Sequence, residues 1–242
     1  MKKITLTIAI AFSVITGLAA EPETKKIGWF EPVVKDIEGW KVSVDPKLLE
    51  GEHAKEGELA LKMLANHLQR IIILMPEKQL ADMQKIGIWL EHKHPELGNM
   101  QYHPGKDWLV QKGYHPDLVK KVHIPVASAL YSKSYMLKQP AVILHELAHG
   151  YHDQVLSFEN PKVLAAFDAA VKLGNYEKVM LFNGKETKHY ALTNHKEYFA
   201  EATEAFLYRN DFYPFVSAEL KVHDPKAHEL MEQIWQASAP SK

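Results

Sequence analysis

Two histidines and a glutamate within one short segment carry the residue types needed for metal chemistry. His145 and His149 lie four positions apart in residues 141–150, and Glu146 follows the first histidine directly. On an α-helix, side chains four positions apart project from the same face, so two imidazoles can reach one cation at about 2.0–2.1 Å. Glu146 lies about 100° further round the helix, where it can take a proton from a metal-bound water without ligating the metal. The spacing therefore predicts two metal ligands and a general base.

A third ligand must come from elsewhere, because a zinc site that keeps one position for water uses three protein ligands. Glu197 is the preferred candidate, on a predicted helix whose apolar stripe lies opposite Glu197 and Glu201. We expect Glu201 to accept the N–H of a ligating imidazole. Two alternatives stay open. His152 or Asp153 could ligate or support the metal, and the glutamates could simply form a solvated row.

The composition restricts the chemistry and the partners. The chain of 242 residues has 14 histidines and no cysteine, which removes thiolate ligands, disulfides and cysteine nucleophiles. A formal net charge of -1 gives no global electrostatic reason to bind nucleic acid or an anionic membrane. Any metal is therefore expected on histidines and carboxylates, and any partner is expected to be recognised locally.

The N-terminus has the pattern of a signal peptide. Two lysines precede an apolar run over residues 4–18, and the small residues Ala19 and Ala20 come before the acidic Glu21. The run is short for a membrane anchor and contains hydroxyl side chains. We predict a signal peptide over residues 1–20, cleaved near Ala19 or Ala20. The mature protein is then periplasmic or secreted, without stable membrane insertion.

The rest of the chain, 21–242, contains no repeat or linker and is predicted as one catalytic domain, with a mixed α/β part to about residue 139 and a helical zinc-site part over 140–242. The fold class predicted is α+β: a small mixed sheet in the first half, then mainly helices that include the active-site helix and the glutamate helix. The pattern predicts strands over 39–44, 86–90 and 122–126, a hairpin over 179–192, and helices over 56–74, 140–155, 160–173, 194–208 and 225–236.

The metal motif continues into a longer pattern. The histidine motif of residues 145–149, then Tyr190, six further residues, Glu197 and Glu201 resemble the gluzincin catalytic domain of the anthrax lethal factor family, which includes Pro-Pro endopeptidases. The resemblance covers roughly residues 140–208. It implies a zincin-like fold, peptide hydrolysis, and zinc held by the two histidines and Glu197. It further implies that Tyr190 donates a hydrogen bond to the developing oxyanion.

The residues and the resemblance together predict a zinc metalloendopeptidase that acts on a peptide or protein substrate through a zinc-activated water. Two other functions stay open: an exported, zinc-stabilised binding protein without turnover, and a zinc hydrolase of a non-peptide amide. Tyr198 or His189 could take the role expected of Tyr190. Gly150 and His152 depart from the family pattern and affect the expected cleft shape. No particular oligomeric state is predicted.

Overall fold

The computed structural model of this protein describes residues 25–236. The predicted signal peptide, over residues 1–20, lies outside the described residues. Within 25–236, no helix has both the length and the apolar composition needed to cross a bilayer.

A mixed five-stranded sheet occupies the first half of the chain. Its strands are β1 (Val33–Ile37), β2 (Trp40–Val44), β3 (Gly87–Leu90), β4 (Gln101–Tyr102) and β5 (Lys121–Ile124). The spatial order is β1-β2-β3-β5-β4, with β2, β3 and β5 parallel and the edge strands β1 and β4 antiparallel. The parallel strands are rich in fully buried apolar residues because both faces of the sheet are covered. β4 forms the edge next to the candidate site.

Helices dominate the second half. The helices in chain order are α1 (Ala54–Leu74), α2 (Glu77–Met83), α3 (Lys106–Lys112), α4 (Lys133–Lys138), α5 (Val142–Tyr151), α6 (Pro161–Leu173), α7 (His195–Leu207), α8 (Ser217–His223) and α9 (Pro225–Met231). α5 and α9 continue into π-helical turns, His152–Leu156 and Glu232–Gln236. A hairpin of β6 (Val179–Met180) and β7 (Glu186–Thr187) turns at Gly184, whose φ of 81° suits glycine.

One continuous hydrophobic core joins the sheet to the helices. Trp40, Ile88, Leu64, Phe199 and Trp235 are all fully buried members of it, drawn from both halves of the chain. Fully burying a large apolar side chain stabilises the fold by about 1.5–3 kcal/mol. The helices that carry the candidate site are therefore held rigidly against the sheet.

The structure confirms the α+β class, with a small mixed sheet first and helices later. The strands predicted over 39–44, 86–90 and 122–126 correspond to β2, β3 and β5. The two edge strands β1 and β4 were not predicted, nor were the short helices α2, α3, α4 and α8. The predicted hairpin forms, but each of its strands is only two residues long.

Candidate metal centre

Helix α5 positions the first two predicted ligands. All its residues except His149 are buried, and Ile143 and Leu147 are fully buried in the core on the side away from the cleft. This packing fixes the rotation of the helix. The Nε2 atoms of His145 and His149 lie 3.1 Å apart, as the four-residue spacing predicts.

Helix α7 brings Glu197 to the same point. Asn194 caps the helix, and its side-chain oxygen accepts the backbone N–H of Lys196 at 2.9 Å and of Glu197 at 3.0 Å. Glu197 therefore lies in the first turn, and its Oε2 is 3.1 Å from His145 Nε2 and 3.2 Å from His149 Nε2. Burial acts to raise the pKa of Glu197, but the two imidazoles outweigh it and lower that pKa.

The hydrogen-bond acceptor for His145 is Glu204, where Glu201 was predicted. Glu204 Oε1 is 2.6 Å from His145 Nδ1, whereas Glu201 Oε1 is 3.8 Å away, beyond hydrogen-bond distance. Glu197, Glu201 and Glu204 lie on one stripe of α7. The Nδ1 edge of the His145 ring faces Glu204, which lies about one turn beyond Glu201 on this helix. Burial and the nearby Glu204 charge raise the pKa of Glu201 well above its ordinary value.

His145 Nε2, His149 Nε2 and Glu197 Oε2 lie so close together that a shared cation would satisfy all three better than hydrogen bonds among them. When His145 is neutral and Glu204 accepts its Nδ1–H, the lone pair of His145 Nε2 is directed at His149 and Glu197. Hydrogen bonds alone could satisfy at most two of the three contacts among these atoms, because each ring nitrogen offers either one proton or one lone pair and so takes part in one hydrogen bond. Burial opposes a charge on His145, yet Glu197 and Glu204 raise the pKa of His145 well above its ordinary value. The site thus favours positive charge, and this group could hold a metal ion.

Glu146 is held from the sheet edge. It is buried, and its Oε2 accepts the backbone N–H of Tyr102 in β4 at 2.8 Å. Burial raises the pKa of Glu146. A carboxyl group whose pKa is raised towards the operating pH is better suited to accept and return a proton.

Tyr102 is itself anchored by the π-helical turn that follows α5. Its hydroxyl donates to Asp153 Oδ2 at 2.7 Å and accepts from the Gln154 amide at 3.0 Å, while Lys120 pairs with Asp153. Asp153 therefore supports the strand that holds Glu146 and does not converge with the ligands. His152 is fully buried, and neither of its ring nitrogens has a hydrogen-bond partner among the described residues.

A cleft of about 640 Å³ opens over the histidine cluster. Tyr190, Tyr135, Phe158 and Phe212 contribute aromatic wall surface to it. Tyr190 is 47% exposed, and burial together with the charge of Glu197 raises its pKa, so the hydroxyl stays a donor at neutral pH.

The two alternatives to Tyr190 lie outside the cleft lining. Tyr198 is fully buried and donates its hydroxyl to Asp224 at 2.7 Å. His189 is buried and accepts the backbone N–H of Ala191 at 3.1 Å. Of the three candidates, the geometry leaves Tyr190 as the one that faces the cleft.

Sequence reasoning missed two features of this site. Glu204 was given no functional role from the sequence, although it lies on the same stripe of α7 as Glu197, which was the available signal. The role of the Tyr102 amide could not be read from the sequence, because every residue except proline has a backbone N–H. No family model matches the chain, and no curated protein or solved structure matches it significantly.

Proposed function

We propose that this protein is a zinc-dependent endopeptidase with a zincin-like fold. The observation that carries the proposal is the convergence of His145 Nε2, His149 Nε2 and Glu197 Oε2, at separations of 3.1, 3.1 and 3.2 Å, beside the buried carboxyl of Glu146. Tetrahedral ligands at about 2.0–2.1 Å from zinc lie about 3.3–3.4 Å from one another. Two imidazoles and one carboxylate are also a donor set that zinc favours.

Zinc in such a site polarises a carbonyl group and lowers the pKa of water to about 7. The residues of the chain supply the remaining functions. Glu204 fixes the His145 tautomer, so that Nε2 presents its lone pair to the ion. The Tyr102 amide holds Glu146 through Oε2, which leaves Oε1 to take a proton from the attacking water. The same carboxyl then delivers that proton to the leaving amine.

Tyr190 is the proposed donor to the developing oxyanion. Its position in the cleft wall and its raised pKa support this role, since a neutral phenol donates a hydrogen bond. A peptide substrate in an extended conformation fits an open cleft that is bordered on one side by the edge strand β4. We infer that the substrate is a peptide or protein met after export, outside the cytoplasm.

The direct test is cleavage of a peptide library, read by mass spectrometry, with zinc content measured on the same samples. The wild-type chain is expected to cleave. Glu146→Gln is expected to lose about 10²–10⁴-fold in rate while keeping its zinc, because it removes the proton acceptor and no ligand. Glu77→Gln, an exposed glutamate in α2, is the matched control and should match wild type.

Three outcomes separate the possibilities. Zinc retained without peptide cleavage by any form would favour an exported binding protein or a zinc hydrolase of a non-peptide amide. Equal cleavage by wild type and Glu146→Gln would refute the proposed mechanism. A folded chain without zinc under metal-replete conditions would refute the metal site itself.

A further inference from the structure

A second group of metal-ligating side chains lies outside the cleft. His53 precedes α1, Glu56 lies in its first turn, and His92 follows β3. His92 Nε2 is 3.2 Å and His53 Nδ1 is 3.6 Å from the same oxygen, Oε2 of Glu56. None of the three residues lines the cleft. The group is therefore separate from the centre described above.

The donors are those that borderline transition metals prefer. Two neutral imidazoles and one carboxylate suit Zn²⁺, Cu²⁺ or Ni²⁺, whereas Mg²⁺ and Ca²⁺ prefer oxygen ligands. The separations of 3.2 and 3.6 Å bracket the spacing of about 3.3–3.4 Å expected for ligands of one tetrahedral ion. The side chains are 33%, 23% and 23% exposed, so an ion has access and water can complete its coordination.

The backbones that carry the donors are fixed. The His92 amide donates to Asp45 Oδ2 at 3.3 Å, and its carbonyl accepts the Ala127 N–H at 3.2 Å. The backbone of Glu56 is held in the first turn of α1. Little chain entropy is therefore lost when the side chains take up a ligand.

The orientation of one histidine ring must change before His53 and His92 can bind the same ion. The imidazole rings of His53 and His92 stack with centroids 3.7 Å apart and an interplanar angle of 23°. Two nearly parallel rings do not direct both lone pairs at one point. Rotation of one ring about its Cβ–Cγ bond corrects this, and that torsion is broad in histidine.

We propose that His53, Glu56 and His92 form a second binding site for a divalent transition-metal ion, with zinc as the expected occupant. An ion there joins the start of α1 to the end of β3, which lie far apart in the sequence. Binding to the folded chain alone stabilises it by mass action. The role inferred is a clamp on the first half of the fold, independent of any reaction in the cleft.

The test is isothermal titration of the chelator-stripped protein with ZnCl₂. Glu56→Gln and His92→Gln are each expected to bind one equivalent of zinc fewer than wild type, because each removes a ligand of this site. Glu58→Gln, an exposed glutamate on the same helix, is the matched control and should bind as much zinc as wild type. MgCl₂ or CaCl₂ in excess should not displace the ion.

A second measurement separates ligand loss from misfolding. Added ZnCl₂ should raise the thermal midpoint of Glu58→Gln by more than that of Glu56→Gln, while both midpoints agree without zinc. Unchanged zinc stoichiometry in both Glu56→Gln and His92→Gln overturns the proposal. Because the readout is the loss of one equivalent at these residues, the result stands whether or not the cleft site binds zinc.

Discussion

Replacing Glu204 with glutamine should weaken metal binding at the cleft, although Glu204 is no predicted ligand. The Glu204 carboxylate accepts from His145 Nδ1 at 2.6 Å and is buried, so solvent screens this contact little. It fixes the imidazole tautomer and increases the basicity of Nε2. Glu204→Gln keeps the shape of the side chain and one acceptor oxygen but removes the charge.

The expected loss of zinc affinity is calculated from the change in the hydrogen bond between His145 and residue 204. A hydrogen bond to a charged group contributes about 1.5–3 kcal/mol and a neutral one about 0.5–1.5 kcal/mol. The difference of about 1–1.5 kcal/mol corresponds to roughly a tenfold loss of zinc affinity. That value lies at the lower end of the 10–100-fold range typical of such supporting residues.

Glu201→Gln is the matched control on the same helix. Glu201 Oε1 lies 3.8 Å from His145 Nδ1, beyond hydrogen-bond distance, so glutamine at this position removes no hydrogen bond to the ring. Burial raises the pKa of Glu201 and so favours its neutral form, which glutamine resembles in shape. Zinc affinity of the cleft site is measured by competition with a chromophoric chelator. We expect Glu204→Gln to lose about tenfold and Glu201→Gln to stay near wild type. The reverse order of the two variants would refute this account of His145.

Three further predictions concern the supports of the site and the core. Asp153→Asn should reduce peptide turnover several-fold with zinc content unchanged, since it weakens the anchor of Tyr102; turnover equal to wild type would contradict this. Trp235→Ala should lower the free energy of unfolding in urea by about 3–5 kcal/mol, whereas Val222→Ala, at 80% exposure, should change it by less than about 0.5 kcal/mol. Burial lowers the pKa of His152 from 6.5 to about 3, so its contribution to stability is present above pH 6.5 and is lost as pH falls towards 3. His152→Phe should therefore make stability less dependent on pH over that window, by up to about 1.4 kcal/mol per pH unit in urea unfolding; identical pH profiles would argue against it.

The convergence of the two histidines was predictable because their spacing is local. His145 and His149 share a helix face by periodicity alone, and Asn194 marks the start of the helix that carries Glu197. The choice between Glu201 and Glu204 was not predictable in this way. It depends on how α5 crosses α7, which is set by packing between segments more than fifty residues apart.

The same distinction between local and long-range information applies to the sheet. β2, β3 and β5 each carry buried β-branched residues, and they were predicted near their observed positions. β4 has only two residues among loop signals, and β1 exposes Val33 and Val34, so neither has the pattern of a buried strand. β4 nevertheless supplies the amide that holds Glu146. Its pairing with β5 is a long-range event without a local signature.

We expect His145, His149 and Glu197 to bind one zinc ion together. The most direct measurement is an anomalous difference map at the zinc edge from crystals of the zinc-loaded protein. The expected result is a peak about 2.0–2.2 Å from both Nε2 atoms and from a Glu197 carboxylate oxygen. Zinc-loaded crystals with no peak there, and with the Glu197 side chain turned into solvent, would contradict it.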